Sequence, residues 1–263
     1  MIKLIATDMD GTWLKANKTY DHELFKKDFD LMKNNNIKFV IASGNQYENI
    51  FARFPKEYSE QMYFVAENGA LVAAGRQILK IENLSPDLYE LLLKIADESG
   101  YPSIVAALTS AYVLKKDGKK HFEDNKRYFR NIKQVDSYDE VDDRVFKVSL
   151  IVPKEEMPEV LANLKEKYPQ VGFVAGGYDS IDMSTPGMNK AFGLKYLSQK
   201  LGIESQDMVS FGDSENDVAM LKYTGQSFVT STALPVAKKA AKQIIGSSED
   251  SSVQKEIIHL LER

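Results

Sequence analysis

The chain has 263 residues, more than one ordinary domain needs, so one large or two modest domains are expected. Hydrophobic residues make up 43% and charged residues 27%, a soluble globular mix, and a net charge of −4 gives no global electrostatic reason to expect a nucleic-acid partner. With no cysteine, disulfides and thiol catalysis are excluded, and a reducing cytoplasm is the expected location. The apolar run before Asp8 is too short for a signal peptide, and no run approaches membrane-spanning length, so no membrane partner is expected.

In chain order, the first predicted element is a strand over residues 2–6, closing on Asp8-Met9-Asp10-Gly11-Thr12. Two carboxylates two residues apart repel each other, and neither buries cheaply without a cation. One reading is therefore a divalent metal held beside an oxygen nucleophile; the other is a plain turn cap, because Asp-Gly and Thr are ordinary turn residues. Leu24, Phe25, Phe29 and Met32 recur at helical spacing before the Asn34-Asn35-Asn36 stop. A second apolar strand, residues 38–42, ends in Ser43-Gly44, and a third covers residues 63–66. Near-continuous apolar runs of this kind suit parallel strands covered on both faces.

A hairpin is predicted over residues 71–80, turning at Ala74-Gly75. Ser85 then reads as an N-cap with Pro86 at the first helical position, and Gly100 as the stop. Beyond it the strand style changes. Phe146, Val148 and Leu150 alternate with Lys147 and Ser149, which predicts an antiparallel strand with one wet face; Val171, Phe173 and Ala175 suggest another. Lys115, Lys116, Lys119, Lys120, Lys126, Arg127, Arg130 and Lys133 form a basic stretch, read as a solvated face balanced by the acidic run from 136 to 143. Pro186-Gly187 marks the return to the first style. Residues 82–185 are accordingly expected to be one domain inserted between the halves of another, 1–81 and 186–263.

The last strand, residues 208–211, again closes on carboxylates: Gly212-Asp213-Ser214-Glu215-Asn216-Asp217. In an open α/β sheet, ligands bind outside the carboxyl ends of parallel strands, so two acidic strand tips distant in sequence can face one site. A polar linker, residues 246–252, precedes a final amphipathic helix carrying Ile257, Ile258, Leu260 and Leu261.

Asp8-Met9-Asp10-Gly11-Thr12, the strand ending in Ser43-Gly44, Gly187-Met188-Asn189-Lys190 and Gly212–Asp217 resemble, in order, the four motifs of haloacid-dehalogenase-like (HAD) phosphatases. Glu67-Asn68-Gly69-Ala70 resembles a hallmark of the Cof-type subgroup. The resemblance spans residues 4 to about 250 and implies a doubly wound, mostly parallel α/β sheet with an inserted α/β cap. It implies a Mg²⁺-dependent phosphatase acting on small phosphorylated metabolites, sugar phosphates among them, through an aspartyl-phosphate.

Within that resemblance Asp8 is the nucleophile and Asp10 the general acid and base. Asp8, the Asp10 backbone carbonyl and Asp213 hold Mg²⁺, with Asp217 behind a metal-bound water. Ser43, Gly44, Lys190 and Asn216 hold the phosphate, with a brace of the loop as the alternative role for Asn216. Trp13 replaces a common leucine, and its expected role is core packing. Thr232-Ala233 stands where Asn-Ala is frequent, and Ser251-Ser252 lacks a frequent glycine. A phosphotransferase or phosphomutase would use the same aspartyl-phosphate. Two non-enzymes, a receiver-type phosphoacceptor and a sugar-phosphate sensor, fit less well, because a receiver needs no large insert and a sensor has no need of intact Asp8, Asp10, Lys190 and Asp213.

Overall fold

The computed structural model describes residues 1–126, 128–176 and 179–262; Arg127 of the basic stretch lies outside them. In chain order the first elements are β1 (Leu4–Thr7), α1 (His22–Asn34), β2 (Lys38–Ala42), α2 (Tyr47–Phe51), α3 (Lys56–Ser59), β3 (Tyr63–Ala66), β4 (Leu71–Ala74) and β5 (Gln77–Ile81). There follow α4 (Pro86–Ser99), β6 (Ser103–Ala107), β7 (Ala111–Leu114), α5 (Gly118–Asn125), β8 (Ile132–Val135), β9 (Val145–Ile151), α6 (Met157–Lys167), β10 (Gly172–Gly176) and β11 (Ser180–Ser184). The chain closes with α7 (Lys190–Leu201), β12 (Met208–Gly212), α8 (Val218–Tyr223), β13 (Gln226–Val229), α9 (Pro235–Ala240), β14 (Gln243–Ile244) and α10 (Ser252–Leu261).

Backbone proximity divides the chain into two compact units. The first holds Met1–Gly44, Ile50–Lys80 and the stretch from Asn189 onward; the second holds Asn45–Asn49 and Ile81–Met188. The first contains an eight-stranded sheet in the order β14-β13-β12-β1-β2-β3-β4-β5. The pairs from β14 to β3 are parallel, and β3–β4 is antiparallel. Strand β1 is wholly buried and has β2 on one side and β12 on the other, so the winding reverses there. The register pairs Thr7 with both Ile41 and Phe211, which brings Asp8, Ala42 and Gly212 to the same level at the carboxyl edge. A winding reversal opens a crevice at that edge.

The local signals act as physics requires. Asp21 caps α1 by accepting from the amides of Glu23 and Leu24, and the helix buries Phe25, Phe29 and Met32. Trp13 is fully buried, its ring 5.9 Å from Phe25 and 5.3 Å from Phe39, so it is a core residue of the first unit. Ser251 adopts φ 53° before α10, a left-handed conformation that explains why glycine suits the position.

The second unit is a six-stranded sheet in the order β10-β11-β9-β6-β7-β8, antiparallel except for β7–β8. Ser85 caps α4, Pro86 occupies its first turn, and Gly100 ends it in the left-handed conformation. One face of the sheet packs Leu92, Ile95, Val105, Val148, Leu150, Ile181 and Met183 into a core. The predicted wet face of β9 needs correction, because Lys147 and Ser149 are buried. Strand β9 is central, flanked by β6 and β11, and its polar side chains close on Asp182 at 2.8 and 2.7 Å. Alternation reports two different faces; it does not say that the polar one meets water. In the basic stretch, Lys115 pairs with Asp136 at 2.6 Å and Lys116 with Asp97 at 3.3 Å. Among the described residues no helix is long and apolar enough to cross a membrane.

Asp28 stands out in the core-facing stripe of α1. It is completely buried, and neither carboxylate oxygen has a hydrogen-bond partner among the described residues. Burial pushes its carboxyl up to about 9 against an ordinary 3.8, with Lys27 opposing and Asp21 reinforcing the shift. The folded chain therefore keeps a proton that the unfolded chain releases, and Asp28 makes stability fall as pH rises from about 4 to about 9. Asp28→Asn, a neutral isostere, should raise the melting temperature at pH 8 far more than at pH 4. Thermal melts across that range check this, and a pH-independent difference would refute it.

Candidate active site

Each strand at the winding reversal delivers polar groups from its carboxyl end. After β1 the chain turns at Gly11 (φ +80°), placing Asp8 inside and Asp10 outward. Asp8 is buried, and Lys190 Nζ lies 2.5 Å from its Oδ1. The same ammonium lies 2.6 Å from Asp217 Oδ1. Lys190 and Asp217 are both completely buried, so a cation out of contact with water is shared between two carboxylates, of which Asp8 keeps a small exposure. Asp217 Oδ2 accepts from the backbone amides of Asp213 (2.9 Å) and Ser214 (3.0 Å), which folds the loop after β12 around it.

Asp213 completes the cluster. Ligand atoms of Asp8, Asp213 and Asp217 all lie within 4.8 Å of one another. Thr12 Oγ1 donates to Asp213 Oδ1 at 2.8 Å, tying the first and last motif loops. The Asp213 carbonyl accepts from Leu234 N at 2.8 Å, and Thr230 Oγ1 donates to the Gly11 carbonyl at 3.2 Å. The loop after β13, which carries Thr232-Ala233, therefore supports the site through Thr230 and Leu234, two residues outside every motif read from the sequence.

Electrostatics point the same way. Burial pushes the Asp8 carboxyl well above the ordinary range; Lys190 opposes this, while Asp217 and Asp213 add to it. Burial, then the Asp217 charge, pushes Asp213 up to about 6, with its Thr12 hydrogen bond and Lys190 opposing. Burial alone would lower Lys190, yet the two carboxylates hold it well above the ordinary lysine value. Three carboxylates around one ammonium leave a negative excess in a buried place. A divalent, oxygen-seeking cation removes that excess, so the residues present fit Mg²⁺.

Asp10 differs from Asp8 in exposure and in partner. It is 43% exposed, and its Oδ1 sits 2.6 Å from Lys18 Nζ. Ser43 is buried at the end of β2, with its amide on the Val65 carbonyl at 2.9 Å. Gly44 follows with no side chain. A Cβ there would come within 3.1 Å of Asn68 Oδ1. Asn216 Nδ2 donates to Asn68 Oδ1 at 3.2 Å, and Ser214 Oγ donates to Asn216 Oδ1 at 2.6 Å. Of the two roles open to Asn216 in the sequence, this geometry is that of a brace. The structure brings Asp8, Lys190, Asp213 and Asp217 together directly; Ser43, Gly44 and Asn216 meet through Asn68.

The family model of haloacid dehalogenase-like hydrolases matches residues 5–257. The chain belongs to that family. A 5-amino-6-(5-phospho-D-ribitylamino)uracil phosphatase of Escherichia coli (strain K12) is 37% identical over 255 residues, covering 96% of this chain and 93% of that protein. One of the same name from Bacillus subtilis (strain 168) is 23% identical over 263 residues, covering 95% and 94%. The crystal structure of SMU.1108c from Streptococcus mutans UA159 superposes with a TM-score of 0.94 at 28% identity over all of both chains. This HAD-like hydrolase is thus an enzyme of the phosphatase class, Cof-type, as its motifs led one to expect.

Gly11 provides a test of the packing that removes no charged group. A Cβ there would come 2.5 Å from Asp213 Oδ2, at a φ that L side chains rarely adopt. Gly11→Ala should displace Asp213 and raise the Mg²⁺ concentration needed for half-maximal activity by about tenfold or more, in line with losses from disturbed ligand support. A Mg²⁺ titration of phosphate release checks it.

Proposed function

We propose that the chain is a Mg²⁺-dependent phosphomonoesterase of small phosphorylated metabolites, with 5-amino-6-(5-phospho-D-ribitylamino)uracil as the first substrate to test. The observation that carries this is the contrast between two aspartates two residues apart: Asp8 buried and held by Lys190, Asp10 half-exposed and paired with a surface lysine, Lys18. A nucleophile must be fixed and aimed; a proton carrier must reach both the leaving group and water.

Asp8, with Asp213 and the Asp10 carbonyl, would hold the metal, and Asp217 would support that set from behind. When bound, the ion supplies positive charge against the carboxylates and the phosphate dianion. Ser43 Oγ and the Gly44 amide hold the phosphate oxygens. The Asp8 carboxylate attacks phosphorus, and the bond from phosphorus to the ester oxygen breaks. Asp10 protonates the departing alkoxide, so the alcohol leaves neutral. Asp10 then takes a proton from water as the water oxygen bonds to phosphorus. The Asp8–phosphorus bond breaks, and inorganic phosphate and the free carboxylate are restored. Lys190 keeps Asp8 oriented throughout and faces the charge of the transferring group.

We place discrimination among esters in the second unit, Ile81–Met188, because the motif residues Asp8, Asp10, Ser43, Lys190 and Asp213 all lie in the first. The family resemblance supports reading it as a cap.

Purified protein incubated with phosphorylated metabolites should release inorganic phosphate with Mg²⁺ present and none after EDTA. Asp8→Asn should abolish turnover with the fold intact. Asp10→Asn should still bind Mg²⁺ through its carbonyl and lose roughly 10²–10⁴ in rate, least in the first step with a good leaving group such as an aryl phosphate. Turnover near wild type in Asp8→Asn would remove the nucleophile assignment.

Lys190→Met should cost about 3–5 kcal/mol of stability in the metal-free protein, because it leaves Asp8 and Asp217 buried without a cation. Mg²⁺ should restore part of that loss. Melts with and without the ion read both effects.

A further inference from the structure

The turn between β3 and β4 carries backbone strain that no catalytic step uses. Glu67 and Asn68 both adopt left-handed backbone, at φ 49° and 53°, and Gly69 follows at φ 103°. Two successive non-glycine residues there are unfavourable and persist only where surroundings over-determine them. The surroundings are three loops of the candidate site. Asn68 N donates to the Ser43 carbonyl at 3.1 Å. The Asn68 side-chain amide lies against Gly44, where a Cβ would be 3.1 Å from Oδ1 and 3.2 Å from Nδ2. The same Oδ1 accepts from Asn216 Nδ2 at 3.2 Å. One residue on, a Cβ at Gly69 would collide with the carbonyl of Asn189, which caps α7 just before Lys190.

We propose that Asn68 is a positioning residue for phosphate: its side chain spaces the Ser43-Gly44 loop from the Asn216 loop, while its turn seats the start of α7. The proposal rests on the phosphatase reading, in which Ser43, Gly44 and Lys190 hold the phosphoryl group. Asparagine meets both demands at once. It tolerates the left-handed backbone better than most residues, and its Oδ1 supplies the acceptor for Asn216. Glycine would meet only the first demand and alanine neither, which separates a backbone role from a side-chain one.

The test measures kcat and KM for an aryl phosphate, together with inhibition by inorganic phosphate, in Asn68→Gly, Asn216→Ala and the double variant. Asn68→Gly accepts φ 53° without strain, so it should fold. KM and the inhibition constant for phosphate should rise about tenfold, the scale of one hydrogen bond lost from a buried network, with a smaller change in kcat. Asn216→Ala should lose a similar factor, and the double variant little more than either, because both ends of one bridge are removed. Additive losses, or wild-type KM and phosphate inhibition in Asn68→Gly, would overturn the proposal while leaving the phosphatase reading intact. Should Asn68→Gly fail to fold, Asn216→Ala alone decides, and an unchanged phosphate inhibition constant there counts against the bridge. A wild-type protein that hydrolyses no phosphate ester would overturn both readings.

Discussion

One buried ammonium holds the first unit's chemistry together. Lys190 Nζ is shared between Asp8 and Asp217, at 2.5 and 2.6 Å, with no exposure of its own. Charges taken out of water are costly, and attraction offsets the cost only when geometry is good and the remaining oxygens are satisfied. Asp217 shows how that is achieved, since its second oxygen takes two backbone amides. The same contacts fold the loop after β12 and point Asp213 toward Asp8. Thr12 then ties Asp213 back to the first loop. Residues 8, 12, 190, 213 and 217 are thus one connected polar system in which three carboxylates face one ammonium.

Around that centre the two aspartates of the first motif are divided by their surroundings rather than by their chemistry. Asp8 is fixed by a buried ion pair. Asp10 is held by a surface pair with Lys18, both side chains about half exposed. Exposed pairs contribute little, roughly 0–1 kcal/mol, so Lys18 can be given up at small cost when a proton must move. Under the proposed mechanism, a carboxylate that exchanges protons twice in a cycle gains from a weak partner, and a nucleophile gains from a strong one.

Much of this was legible in the sequence, because the site is built from strand ends and strands are short apolar runs. Lys38–Ala42 and Tyr63–Ala66 form as the hydrophobic runs predict, and Ser85, Pro86 and Gly100 bound α4 as cap chemistry predicts. What was not legible depends on pairing across the chain. Lys147 alternates like a wet residue and is buried, its ammonium paired with Asp182 of the neighbouring strand β11. The brace from Asn216 to Asn68 spans 148 residues, and no local pattern announces it. Asp28 sits on the apolar stripe of α1 and becomes a buried acid only because of that placement. Thr230 and Leu234 support the first and last motif loops through one hydroxyl and one backbone amide, which carry no sequence signature.

Lys190 also shows where local preference yields to the site. It is the first residue of α7, capped by Asn189, whose Oδ1 accepts from Phe192 N at 3.2 Å. A helix N-terminus is a positive place, and a lysine there is disfavoured by the dipole. A helix built for stability alone would carry an acid in that turn, as α1 does with Glu23. Here the acids come from other strands, Asp8 from β1 and Asp217 from the loop after β12. Their two charges outweigh the helix end, whose partial charge is about half a unit. The helix therefore adds its own positive end to that of the lysine at one point of the crevice. In the proposed mechanism that positive end would face a doubly charged oxyanion such as a phosphoryl group once a divalent cation offsets the carboxylates. A broken local rule, compensated only by residues distant in sequence, marks a position set by the site as a whole rather than by local helix preference.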